Sequence, residues 1–142
     1  MSWLLDTCVI SELVKPRPTA AVVAWIEACE EETLYLSVIT IGELEKGIAR
    51  IPLSAKRAKL QSWVRRDLAE RFRGRLLAID QPVATRWGAL AGESEVRGKP
   101  LPVVDGLIAA TSLEHDLTVV TRNTDDFKRC GARCLSPWGE AY

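Results

Sequence analysis

Acidic side chains stand where short apolar runs of this sequence give way to helical patterns. Asp6 directly follows Trp3-Leu4-Leu5, and Glu43 lies just beyond the β-prone run Leu34 to Val38. Asp105 is the one charge within Leu101-Pro102-Val103-Val104-Asp105-Gly106-Leu107-Ile108-Ala109-Ala110. Asn123 and Asp126 belong to Thr121-Arg122-Asn123-Thr124-Asp125-Asp126-Phe127, which follows the apolar run Leu117 to Val120. Each has a structural role open to it. Asp6 can cap the next helix, with Thr7 and Ser11 as polar company. Thr40-x-x-Glu43 spells a capping box, Thr40 at N-cap and Glu43 at N3, and taken alone this is the stronger reading of Glu43. Asn123 can cap a short helix with Asp126 at N3. Asp105 is harder to explain this way. A first-turn Asp gains about 0.3–1 kcal/mol from the helix dipole at an exposed site, too little for a carboxylate in a buried helix start. It needs a cation or a satisfied hydrogen-bond network, and a cation is favoured.

Taken together, these residues form an oxygen-only set without His or Cys, which suits a hard cation such as Mg2+ or Mn2+. Such an ion is held by one or two carboxylates plus substrate phosphate. It lowers the pKa of a water and steadies charge on a scissile phosphate. No Ser-His-Asp or Cys-His arrangement and no glycine-rich phosphate loop competes with this chemistry. The single histidine, His115, lies between Glu114 and Asp116 at a helix end and reads as a helix-end residue. Phosphatase chemistry of the haloacid-dehalogenase type would want a second Asp two residues after Asp6, where Cys8 stands. Cys130-x3-Cys134 with His115 lacks the second Cys-x-x-Cys pair of a zinc site.

The elements that must position these groups follow from the apolar pattern. Short apolar runs at 2–5, 34–38, 76–79 and 117–120 read as buried strands, with a candidate fifth at 133–135. Between them lie helical patterns at 7–14, from Thr19 onward, 40–50, 54–72, 82–96, 103–115 and 123–128. Pro82 suits a first helical turn, and Lys15-Pro16-Arg17-Pro18 and Gly98-Lys99-Pro100 act as breakers. Strands alternating with helices predict an α/β/α sandwich around a central parallel sheet of four to five strands. In such sheets ligands bind beyond the carboxyl ends of the strands, where the acids fall.

Four segments in order carry a family resemblance: Leu4 to Leu13, Ser37 to Leu44, Asp105 to Ser112 and Thr121 to Phe127. They resemble the four signature blocks of PIN-domain proteins, and within that superfamily they are most similar to VapC/FitB-type toxins of type II toxin–antitoxin pairs. The blocks span nearly the whole chain, so the resemblance implies one PIN domain over 1–142. It also implies Mg2+-dependent endoribonuclease activity with Mn2+ able to substitute, a homodimer, and inhibition by a cognate VapB/FitA-like antitoxin. Operator DNA would then be met only through the antitoxin. Carried over by position, Asp6, Glu43 and Asp105 match the family's catalytic and metal-binding acids. At the fourth position many members have Asp where this chain has Asn123. Either Asn123 or neighbouring Asp126 fills that place, and the second metal stays open. Thr7, Ser11 and Thr121 are supporting polar groups. The alternative reading is a catalytically weak PIN-like module that acts mainly within an antitoxin complex on operator DNA.

Charge refines the picture. The 142 residues carry 19 Lys plus Arg and 19 Asp plus Glu, for a formal net charge of zero. The cancellation hides a strong asymmetry. Residues 45–75 hold ten basic and three acidic groups, whereas both flanking regions are net acidic. Phosphate backbones attract such cations, and Lys46, Arg50 and Arg122 are the candidate RNA contacts. The five tryptophans read mainly as core, with an apolar groove between the helices carrying Trp25 and Trp63 as an antitoxin-docking alternative. No run approaches the ~20 apolar residues of a membrane span. With no secretory pattern at the start, the expected place is the cytoplasm with all four cysteines as thiols.

Overall fold

Trp3–Leu5 forms the first strand (β1), and Asp6 ends it by capping the helix that follows, α1 (Thr7–Leu13). The computed structural model describes residues 1–139. After the Pro16 and Pro18 breaker comes α2 (Ala20–Ala28), with Thr19 at its N-cap. A single 3-10 turn then leads into β2 (Leu34–Ser37). The chain continues through α3 (Val38–Ala49), α4 (Ala55–Ser62), a π-helical segment over Trp63–Leu68, α5 (Ala69–Arg71) and β3 (Leu76–Leu77). The second half holds α6 (Gln81–Val96), α7 (Val103–Glu114), β4 (Thr118–Val120), α8 (Thr124–Arg129) and β5 (Cys134–Leu135).

The strands lie in the order β3-β2-β1-β4-β5, and every neighbouring pair is parallel. The expected α/β sandwich is present, with the candidate fifth strand included. Because side chains alternate across a strand, Leu5 and Val120 enter one core with Val9, Ile10, Val22, Leu36 and Phe72. Leu4 and Val119 enter the other with Ile108, Ala109, Phe127 and Ala132. The chain winds outward from β1 through β2 to β3, then crosses to β4 on the opposite side of β1. That reversal opens a crevice beyond the carboxyl ends of β1 and β4, the usual ligand position in an open α/β sheet.

Two local expectations are corrected. The long helix expected over 54–72 is interrupted by the π-helical segment. Val64, Leu68 and Phe72, spaced four residues apart, are all buried along this stretch. The helix expected from Thr40 instead starts at Val38, because Ser37 is at once the last residue of β2 and the N-cap of α3.

Glu12 is a buried acid to which the sequence assigned no role. It is 3% exposed on α1. Its carboxylate accepts from Lys15 Nζ at 2.9 Å, from the Thr19 backbone N–H at 2.9 Å and from Thr19 Oγ1 at 3.0 Å. It thereby caps α2 from α1 and explains why Thr19 makes no cap bond of its own. The Lys15 ammonium, followed by the Thr19 N–H, holds the Glu12 carboxyl down at about 2. A depressed folded-state pKa stabilises the fold above the ordinary value near 4.5, and this contribution is lost as pH falls toward 2. Glu12→Gln should therefore lower the Tm at pH 7, with the gap to the native protein closing between pH 4.5 and 2. Thermal unfolding across that range is the check, and a constant gap would contradict it.

Candidate metal centre

Asp6 reaches the crevice from the end of β1. Its backbone N–H still bonds the Val120 carbonyl at 2.9 Å, so the residue is held in the strand register. Oδ1 accepts from the Thr7 N–H at 2.8 Å, which is the helix cap. Oδ2 accepts from Thr121 Oγ1 at 2.7 Å and from the Cys8 thiol at 3.6 Å. Thr121 is fully buried, and its own N–H bonds the Leu135 carbonyl at 3.0 Å. Asp6 thus caps α1 and occupies the crevice at the same time.

Glu43 does not form the expected capping box. Ser37 Oγ accepts from the Ile39 N–H at 3.1 Å and caps α3, which leaves Thr40 inside the first turn and buried. Glu43, one turn into the helix, is consequently not needed as a cap. Thr7 Oγ1 donates to Glu43 Oε1 at 2.5 Å and lies 3.3 Å from Thr40 Oγ1. Thr7 therefore links the acid of α3 to the residue following Asp6.

Asp105 enters in the first turn of α7. Burial, joined by the charges of Asp6, Asp126 and Glu43, pushes its carboxyl up to about 6. That single carboxyl therefore senses all three other acids. Beside it, Gly106 leaves room for the Trp87 ring of α6. An added Cβ would lie 3.0 Å from Trp87 Cδ1, so the small residue lets α6 pack closely against the helix bearing Asp105.

Of the two candidates for the fourth position, Asp126 stands beside Asp105, within hydrogen-bonding reach. Asn123 makes no cap bond; its Nδ2 donates to Asp126 Oδ2 at 2.9 Å. Arg129 Nη2 donates to the other oxygen, Asp126 Oδ1. The Arg129 guanidinium, joined by Asn123, holds the Asp126 carboxyl below its usual range. Arg129 was missed in the sequence, although its position three residues after Asp126 on a helix was the available signal.

The remaining candidates have other contacts. Ser11 lines a groove of about 900 Å³ with Val14, Pro16, Leu60 and Trp63. Of the two tryptophans weighed for a docking groove, Trp63 lines this one, while Trp25 follows the core reading. The Trp25 ring instead packs edge-on against Trp3 with centroids 5.0 Å apart. Lys46 and Arg50 are exposed on α3, one and two turns beyond Glu43, and make no ion pair among the described residues. Other cations of the basic segment are structural. Arg65 pairs with Glu45, and both Arg71 and Arg75 pair with Glu31. The Arg122 guanidinium lies over the Trp138 ring at 5.5 Å. The four cysteines are free thiols, and burial together with the Asp6 charge pushes the Cys8 thiol up to about 11.

The donor set fits a hard divalent cation. Four carboxylates from different elements face one crevice, and Asp105, raised first by burial, also feels the charges of the other three. Among the described residues no three His, Cys, Asp or Glu side chains are drawn together tightly enough to hold a metal by themselves. An ion that keeps several waters needs only one or two direct carboxylates, so a loose acidic crevice is compatible with it.

The PIN domain family model matches residues 3–132. Toxin FitB of Neisseria gonorrhoeae is 38% identical over 135 residues, covering 95% of this chain and 97% of that protein. VapC ribonuclease Y4jK of Sinorhizobium fredii is 39% identical, covering 97% and 99%. Among solved structures, FitAcB from Neisseria gonorrhoeae superimposes with a TM-score of 0.91 at 38% identity, covering 97% of this chain and 99% of that one. A structure of FitAB bound to a DNA fragment gives 0.90 at 36% identity, covering 99% and 98%.

The Thr121 hydroxyl donates to a buried carboxylate oxygen, so its loss leaves that oxygen without its strongest partner. Thr121→Val should destabilise the fold by about 1–3 kcal/mol, while Thr121→Ser retains most of the stability. Urea unfolding of both variants measures the difference.

Proposed function

The chain belongs to the PIN-domain family, among the VapC- and FitB-type toxins, and we propose that it hydrolyses RNA phosphodiester bonds with Mg2+ as its cofactor. The observation supporting this reading is the convergence of Asp6, Glu43, Asp105 and Asp126 at the crevice beyond β1 and β4, sensed together by the Asp105 carboxyl. Asp6 and Asp105 would hold the ion most directly. Glu43 would reach it directly or through water, and Asp126 would complete the set with Asn123 orienting it. Bound there, a divalent cation supplies an activated water and offsets charge on the scissile phosphate.

The protein's own contribution is orientation and attraction. Thr121 and Thr7 N–H fix both oxygens of Asp6. Thr7 Oγ1 fixes Glu43, and Arg129 with Asn123 fixes Asp126. Lys46 and Arg50 extend along α3 from Glu43 and offer positive charge to an approaching RNA backbone. As a toxin the chain works in the cytoplasm, as a homodimer neutralised by a VapB/FitA-like antitoxin that carries it to operator DNA. The groove lined by Val14, Leu60 and Trp63 is apolar at its floor, with Lys15, Lys56 and Lys59 around it. It suits an antitoxin segment with apolar and acidic side chains.

Asp105→Asn should reduce Mg2+-dependent RNA cleavage by at least about 100-fold without lowering helical content by circular dichroism, and Asp6→Asn should do the same. Chelation with EDTA should stop the native protein. Full activity in EDTA would refute the metal reading, and unchanged toxicity of both variants would favour the binding-module alternative. The basic surface has its own test. Reversing Lys46 and Arg50 to Glu should weaken RNA binding and reduce its log–log salt slope by roughly one for each phosphate no longer neutralised.

A further inference from the structure

Cys8 sits in the first turn of α1, where the metal-centre reading assigns no task, yet its sulfur touches three groups of that centre. The thiol donates to Asp6 Oδ2 at 3.6 Å and lies 3.8 Å from Thr121 Oγ1. The Arg122 backbone N–H donates to the sulfur at 3.4 Å. Thr121 Oγ1 closes the ring from the other side, donating to Asp6 Oδ2 at 2.7 Å and accepting from the Asn123 N–H at 3.1 Å. One small side chain thus joins the end of β1 to Thr121 and Arg122, and through Thr121 to Asn123, as the chain leaves β4.

Those three residues lead into the segment that presents Asn123 and Asp126. Two successive backbone N–H groups, of Arg122 and Asn123, point inward to Cys8 Sγ and Thr121 Oγ1. No helix or strand bond satisfies them there, because β4 has ended and α8 has not begun. Backbone donors in such a gap need side-chain acceptors, and the sulfur is one of the two provided. Cys8 is half-buried, so the contact is shielded but not sealed.

We propose that Cys8 is a positioning residue of the metal centre: its sulfur fastens the Thr121–Asn123 turn to Asp6 and so sets the distance between the acid of β1 and the acid of α8. The role deepens the metal reading above, since it acts on the same carboxylates, but it makes a separate prediction about the backbone. A side chain that orients ligands without touching the ion commonly changes metal affinity by about 10–100-fold.

The test compares Cys8→Ala with Cys8→Ser, whose hydroxyl can still donate to Asp6 and accept from the Arg122 N–H. Amide hydrogen exchange is followed first, in metal-free protein. Cys8→Ala should speed exchange at Arg122 and Asn123 by at least about tenfold, with β1 and α7 unchanged, and Cys8→Ser should restore much of the protection. Mn2+ titration by calorimetry follows. Cys8→Ala should bind about tenfold more weakly, with Cys8→Ser intermediate and Asp105→Asn as the non-binding control. Unchanged exchange at Arg122 and Asn123 in Cys8→Ala would overturn the proposal, as would a Ser variant as impaired as Ala. If the native protein itself binds no Mn2+, the metal reading fails while the exchange result still decides the role of Cys8 in fastening the turn.

Discussion

Four carboxylates gathered in one crevice repel one another, and the rest of this structure has to hold them there. Repulsion between like charges grows as they approach and as water is excluded from around them. A domain is stable by only about 5–15 kcal/mol, so uncompensated repulsion of this kind has to be limited. The fold responds by spreading the acids over β1, α3, α7 and α8, so that no single element bears the repulsion. It also gives individual acids counter-groups. Arg129 and Asn123 draw Asp126 down. Asp105 has no such partner and is the acid pushed up. A divalent cation would be the counter-charge for the whole group.

The order β3-β2-β1-β4-β5 makes this gathering possible. Had β4 been added beyond β3, the residues after β1 and β4 would lie on distant strands. Placing β4 beside β1 lets Asp6 and Thr121 end adjacent strands and meet through one hydrogen bond. This part was legible in the sequence. Short apolar runs ending in polar residues marked the strand ends, and Asp6 and Asp105 stood out because burial makes an unneeded charge costly. Glu43 was picked out by its place just after a strand, and the capping role read for it locally was wrong. The capping box assumed a loop between β2 and α3, whereas Ser37 serves both elements. The error arises because cap patterns are local, while the end of a strand depends on partners far along the chain.

Other features depended on tertiary packing and gave no readable signal. Nothing in residues 54–72 marks the π-helical segment. The basic run looked unpaired because its partner, Glu31, lies outside it and takes both Arg71 and Arg75. Its charge therefore divides in two. Arg71 and Arg75 fasten the chain ahead of β3 to the turn ahead of β2, while Lys46 and Arg50 stay open to solvent beyond Glu43 toward the end of α3. Net charge by segment described the field correctly but could not separate these two duties.

The sequence also posed a choice that the geometry removes. Asp6 could be a helix cap or a metal ligand, and each reading seemed to weaken the other. A carboxylate has room for about four hydrogen-bonding or ligating contacts across its two oxygens. In this structure one oxygen takes the Thr7 N–H and the other takes Thr121 and Cys8. Those donors fix the plane of the group, while lone-pair directions remain for the crevice. The cap would therefore make Asp6 a better ligand: it holds the charge in place before any cation arrives, and it ties that charge to the first turn of the helix on which Thr7 reaches Glu43.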